Sequence, residues 1–123
     1  MKLKAIMLLV LGIALTACGP TDLDVVMTGS EIIVKRESVP EGPITFALDN
    51  HSGEVQQLLI QAPSDSGIPR TVAEIDDIKP GRTHYEVIDL DGGVYTLSAR
   101  RQGKGPDEAV DGESGRTTLR VEG

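Results

Sequence analysis

The sequence predicts an all-β fold, a small antiparallel sandwich. Three observations carry this. First, Ile44, Phe46 and Leu48 alternate with Thr45, Ala47 and Asp49, the period of a strand with one buried face. Second, such runs are separated by clusters of Pro, Gly, Asn and Asp, the residues that end strands and make turns. Third, no stretch beyond the N-terminal segment has the apolar period of a helix longer than one turn. The pattern is densest from Val39 to Arg101.

The first segment stands apart from the fold. Met1-Lys2-Leu3-Lys4 is positively charged, Ala5 to Leu15 is an apolar run broken only by Gly12, and small residues follow at Thr16 and Ala17. A charged start, a short apolar core and a small-residue cleavage region make a secretory signal helix. The core is too short to span a bilayer, which takes roughly 20 residues. Leu15-Thr16-Ala17-Cys18 resembles the lipobox of bacterial lipoproteins, in which the cysteine is lipidated and becomes the new N-terminus. The resemblance implies a signal peptide over residues 1–17 and a covalent diacylglyceryl lipid on Cys18, with acyl chains such as palmitate. A tether is expected over residues 18–24 and a β-sandwich over residues 25–123. The domain is then expected outside the cytoplasm, in the cell envelope, held to a membrane by lipid.

Cleavage before Cys18 removes 17 of 123 residues and leaves 106, enough for one domain. Cys18 is the only cysteine, so no internal disulfide can form. Phe46, Tyr85 and Tyr95 are the only aromatics, so aliphatic side chains must fill most of the core. Loss of Lys2 and Lys4 takes the formal charge from −7 to −9. So acidic a surface repels phosphate backbones, and nucleic acid is not an expected partner. It also repels anionic headgroups, so lipid rather than protein charge must do the anchoring.

Val25 to Thr28 and Glu31 to Lys35 read as two strand pieces broken at Gly29-Ser30, with Met27 as core filling. Val39 to Pro43 is a turn, since Pro fixes φ and Gly permits a positive one. Ile44 to Asp49 is a strand, Asn50-His51-Ser52-Gly53 a turn, and Leu58 and Ile60 the inward face of the next strand. Ala62 to Arg70 reads as a loop crossing between sheets, and Thr71 to Ile75 as a short edge strand. Asp76-Asp77 precedes the turn Lys79-Pro80-Gly81-Arg82. In Thr83 to Leu90, Tyr85 and Val87 point one way and Ile88 and Leu90 the other, which predicts a β-bulge near Val87–Ile88. Asp91-Gly92-Gly93 reads as a hairpin turn, and Tyr95, Leu97 and Ala99 as an inward face. Gln102 to Gly115 has no apolar periodicity and reads as a long polar loop. Thr117, Leu119 and Val121 then alternate in a last strand.

Several pieces together resemble the cupredoxin-like domains of bacterial secreted proteins. These are Val39-Pro40 with Gly42-Pro43-Ile44-Thr45-Phe46, Asn50 opening a polar turn, Ala73-Glu74-Ile75 leading to Pro80-Gly81, and Gly93-Val94-Tyr95-Thr96-Leu97. The likeness runs from about Val39 to Gly123 and implies a Greek-key sandwich of seven or eight strands; an immunoglobulin-like sandwich is the alternative. Copper-binding members hold the metal with two His, one Cys and usually one Met. The resemblance puts the first His place at Gln56, the Cys place at Ala99, and the second His and the Met in Gln102 to Gly115, the Met near Gly115. None of these positions carries such a donor. The resemblance therefore implies the fold without its blue-copper centre.

Other chemistry is thin. His51 and His84 are the only histidines, and with a carboxylate such as Glu54 they are the donors left for a weak Cu(II) or Zn(II) site. Exposed polar residues are the preferred reading. Asp107, Glu108, Asp111 and Glu113 do not have the spacing of a Ca²⁺ loop. There is no Gly-x-Ser-x-Gly nucleophile elbow and no other catalytic constellation, so an enzyme is not expected. The sequence points to a lipid-anchored envelope module that binds a protein partner or serves structurally, metal-free and without a further cofactor. The alternative is a copper-handling periplasmic protein with a site of its own. Lys104, Asp107, Glu108, Asp111 and Glu113 are the partner-binding candidates.

Overall fold

The computed structural model describes residues 20–105 and 107–123, apart from the side chain of Asp111. The signal segment and the lipobox lie outside the described residues. Within them are nine strands and no helix. In order these are β1 Thr21–Met27, β2 Ile32–Val34, β3 Ser38–Pro40, β4 Gly42–Asn50, β5 Gln56–Ala62, β6 Arg70–Ile78, β7 Thr83–Leu90, β8 Gly93–Gln102 and β9 Ala109–Glu122. They form two sheets, β2-β1-β4-β7 and β3-β9-β8-β5-β6. The chain changes sheet between β2 and β3, β3 and β4, β4 and β5, β6 and β7, and β7 and β8, as a Greek-key sandwich requires.

The alternating runs do what their period dictates. Ile44, Phe46 and Leu48 are fully buried between the sheets, as are Leu58 and Ile60 of β5 and Leu97 of β8. β1 lies parallel to β4 in unbroken register, Thr21 opposite Ile44 and Met27 opposite Asn50. Leu23 and Val25 are fully buried. The strand therefore begins at Thr21, inside the stretch expected to be tether, because the alternation of Leu23, Val25 and Met27 extends further back than the sequence reading took it.

Four other expectations are corrected. The Ala62–Arg70 loop does not cross between sheets: β5 and β6 pair antiparallel, and residues 63–69 join them within one sheet. Asp91-Gly92 is not a hairpin turn, because β7 pairs with β4 while β8 pairs with β5 and β9. It is a corner between sheets, fastened by the Tyr95 hydroxyl donating to the Asp91 carbonyl at 2.7 Å. β7 carries no bulge; it runs in even register along β4, with Ile88 half-buried and Leu90 buried. Tyr85 and Val87 simply stay exposed, at 68 % and 58 %. The polar stretch Gln102–Gly115 is mostly strand: β8 runs to Gln102, β9 starts at Ala109, and Gln102 pairs with Ala109 across a short turn. Register irregularities on either side of Arg100 hide its alternation. Gly115 is needed there for space, since a Cβ on it would meet the Glu31 backbone carbonyl carbon at 2.9 Å.

The sandwich has two distinct ends. Thr21, Gly42, Ala62, Arg70, Leu90 and Gly93 mark one, the Thr21 end. Asn50, Gln56, Ile78, Gln102 and the β8–β9 turn mark the other, the Asn50 end.

Candidate functional site

The Asn50 end collects buried polar side chains. Asn50 and Gln56 are each 2 % exposed and Gln102 8 %. Buried amides are costly unless bonded, and each of these is bonded. Asn50 closes β4 by accepting from the Ser52 backbone N–H at 2.9 Å, the local turn its residue type favours. Its Nδ2 donates to the carbonyls of Glu54 (2.7 Å) and Ile78 (2.8 Å), tying the β4–β5 turn to the end of β6. The Ser52 hydroxyl lies 2.7 Å from Asn50 Oδ1 and accepts from Gln56 Nε2 at 2.9 Å. Gln56 Oε1 then accepts from the Ser114 hydroxyl at 2.6 Å. The result is a continuous chain, Ser114–Gln56–Ser52–Asn50, that runs from β9 through the β4–β5 turn to the end of β4. Gln102 makes a separate link at the same end, accepting from the Asp77 N–H at 2.6 Å and donating to the Gly105 carbonyl at 3.2 Å.

A shallow cleft of about 260 Å³ opens over this chain, lined by Gly29, Ser52, Glu54, Gln56, Arg101 and Gly112 to Ser114. Glu54 and Arg101 form an exposed ion pair at 3.3 Å on its rim. Glu113 is bonded to Arg116 through Nε at 3.1 Å and through Nη2. That hydrogen bond holds the Glu113 carboxyl below its usual range.

The partner-binding candidates spread over the β8–β9 arm. Lys104, Asp107 and Glu108 are exposed in its turn, braced by the Glu108 N–H donating to the Gly105 carbonyl at 3.2 Å. Glu113 is on the cleft wall, and the side chain of Asp111 lies outside the described residues. His84 pairs with Glu86 on β7 at 3.0 Å, while His51 is exposed in the β4–β5 turn. Among the described residues no three His, Cys, Asp or Glu side chains converge as a metal-binding group. The arrangement of His51, His84 and Glu54 is therefore not assembled.

Sequence reading missed two features. One is Ser114: its partner Gln56 is 58 positions away, and only the β5–β8–β9 pairing brings them together. The Asn50–Ser52 turn, by contrast, is legible from residue type. The other is Gln57, which precedes the inward pair Leu58 and Ile60 and yet is only 4 % exposed. Its Nε2 donates to Glu74 Oε2 at 2.5 Å and to Asp76 Oδ1 at 2.7 Å, holding two carboxylates on the outer face of β6. Burial first, and then repulsion from Asp76, raise the Glu74 pKa.

The places where the resemblance put copper ligands all fall at this end. Gln56 has both amide ends engaged, Ala99 is buried with only a methyl group, and Gly115 sits opposite it. A Cu(II) thiolate–imidazole centre needs soft sulfur and ring-nitrogen donors; these side chains offer neither and do not fit it.

No protein-family model matches the chain, and no curated protein matches it by sequence. Among solved structures it is similar to auracyanin A, a "blue" copper protein from the green thermophilic photosynthetic bacterium Chloroflexus aurantiacus. The TM-score is 0.55 at 15 % identity, over 85 % of this chain and 100 % of that one. At that identity the likeness speaks for the fold alone, and the sandwich is cupredoxin-like.

Proposed function

We propose that the chain is a lipid-anchored module of a bacterial cell envelope, metal-free, that receives a protein partner on its Asn50 end. The observation that carries this is Gln56. It stands where the resemblance puts the first His, and its amide is spent bonding Ser52 and Ser114. A hydrogen-bonded chain of this kind fixes the β4–β5 turn against β9, and the exposed Glu54–Arg101 pair and the β8–β9 turn stand beside it. The lipobox resemblance of Leu15-Thr16-Ala17-Cys18 supports the anchor. Two acyl chains contribute roughly 0.8 kcal/mol per buried CH₂, enough to keep the domain on the membrane.

Three measurements test the reading. Cys18→Ser should lose lipidation and either persist unprocessed or leave the membrane fraction; mature Cys18→Ser protein still in the membrane would refute the anchor. Titration of Cu(II) into the purified protein should give no intense visible absorption and no tight stoichiometric binding. Replacement of residues 103–108 by a two-residue turn should abolish partner capture from envelope extract. Stability should barely change, since closure entropy depends only logarithmically on loop length. Capture undiminished by that change would move the partner site elsewhere.

A further inference from the structure

We propose that the Thr21 end of the sandwich faces and contacts the bilayer, with Ile68 and Val94 as its apolar contacts. The proposal rests on the lipid-anchor reading above and adds to it an orientation and a membrane surface.

The first argument is reach. Between Cys18 and the first strand stand only Gly19 and Pro20. Two extended residues span about 7 Å at most. β1 cannot lengthen the tether by peeling away, because Leu23 and Val25 are fully buried and the strand is paired with β4 from Thr21 onward. The Thr21 end is thus held against the headgroups. The Asn50 end lies about 30 Å further out, the length of nine-residue β4.

The second argument is what that end carries. The loop between β5 and β6 lies there and holds Ile68 out at 71 % exposure. The loop is braced rather than slack. Ser64 Oγ donates to the Ile68 carbonyl at 2.5 Å, the Ile68 N–H donates to Ser66 Oγ at 3.3 Å, and Gly67 turns at φ +85°. A single exposed isoleucine is ordinary. Here Val94, 50 % exposed, lines one cleft with Pro63, Gly67 and Pro69 of the same loop. Pro63 and Pro69 thus add apolar surface beside Val94, and Ile68 stands between Gly67 and Pro69 in the same loop.

The third argument is charge. Arg70 closes the loop, and Arg120 pairs with Val94 across β8 and β9; both are exposed. Juxtamembrane cations of this kind suit headgroup phosphates. The loop itself carries one acid, exposed Asp65, while Glu41, Asp91 and Glu122 gather at the β7–β8 corner, where Glu41 accepts from the Gly92 N–H at 2.9 Å. The domain should tip so that the β5–β6 side touches lipid.

The test uses the full chain, processed and lipidated in cells, in vesicles of phosphatidylethanolamine and phosphatidylglycerol. Lipidated Cys18 has no free thiol, so one introduced cysteine carries the only fluorophore. Labels go on Asp65→Cys in the loop and on Lys104→Cys in the β8–β9 turn, with a quencher on the lipid near the headgroup. Flotation is measured first. The expected result is flotation, with the loop label quenched several-fold more than the turn label. Adding Ile68→Asp should reduce the loop quenching measurably, while the tether keeps it above that of the turn label, and leave flotation unchanged. Flotation with equal quenching at both ends overturns the orientation and leaves the anchor standing. Loop quenching untouched by Ile68→Asp overturns the apolar contact. Failure to float overturns the anchor, and this proposal with it.

Discussion

The middle of the sandwich and its Asn50 end are both buried, but different forces hold them. Between the sheets the contacts are aliphatic, around one fully buried phenylalanine, Phe46. Burial of this kind is non-directional and scales with area removed from water. At the Asn50 end the buried groups are amides, and their bonds are directional: Asn50 to two carbonyls, Gln56 to two serines, Gln102 to the Asp77 N–H. The middle supplies stability and tolerates imprecision. The end supplies less stability but ties the turns there to the strand ends.

Two substitutions should separate these roles. Phe46→Ala should cost about 3–5 kcal/mol, a large share of a small domain's total. A shift in urea midpoint worth under 1 kcal/mol would mean that the middle does not carry the fold. Gln56→Ala should cost less, about 1–3 kcal/mol, chiefly because Ser52 and Ser114 lose a partner. The two sites of the polar chain should also be coupled. In a Gln56→Ala and Ser114→Ala cycle, the double variant should lose less than the sum of the singles. Strict additivity would mean that the Ser114–Gln56 bond contributes nothing.

The same difference decides what the sequence made legible. Alternation reports burial, so the strand positions of Ile44 to Leu48 and of Tyr95 to Ala99 read correctly. Alternation does not report which sheet a strand joins, so Asp91-Gly92-Gly93 looked like a hairpin and residues 63–69 like a crossover. Nor does it survive register irregularities: the shifts around Arg100 made the β8–β9 arm read as a loop. The Asn50 turn was legible because asparagine bonds locally. Ser114 was not, because its role exists only once β5, β8 and β9 are paired.

The smallest effect is the sharpest check on how polar groups are held here, and it involves the neighbour of Gln56. Gln57 points to the opposite face, where its amide holds Glu74 and Asp76 together. The Glu74 pKa is raised, first by partial desolvation and then by repulsion from Asp76, although its bond from Gln57 opposes the shift. A carboxyl with a raised folded pKa binds its proton more tightly when folded. Its contribution is fully present below the unfolded value and is lost as pH rises through the folded value. At neutral pH the ionised Glu74 is therefore a small burden. Glu74→Gln keeps an oxygen for Gln57 and removes the charge, so it should raise stability at pH 7. The side chain is exposed, so the gain should be no more than about 0.5 kcal/mol. Below about pH 4, where Glu74 is already protonated, the gain should vanish. Urea unfolding at the two pH values measures this directly. A loss of stability at pH 7 would mean that the charge-assisted bond from Gln57 outweighs the burial and the repulsion, and that this amide grips its carboxylates as firmly as Gln56 grips its serines.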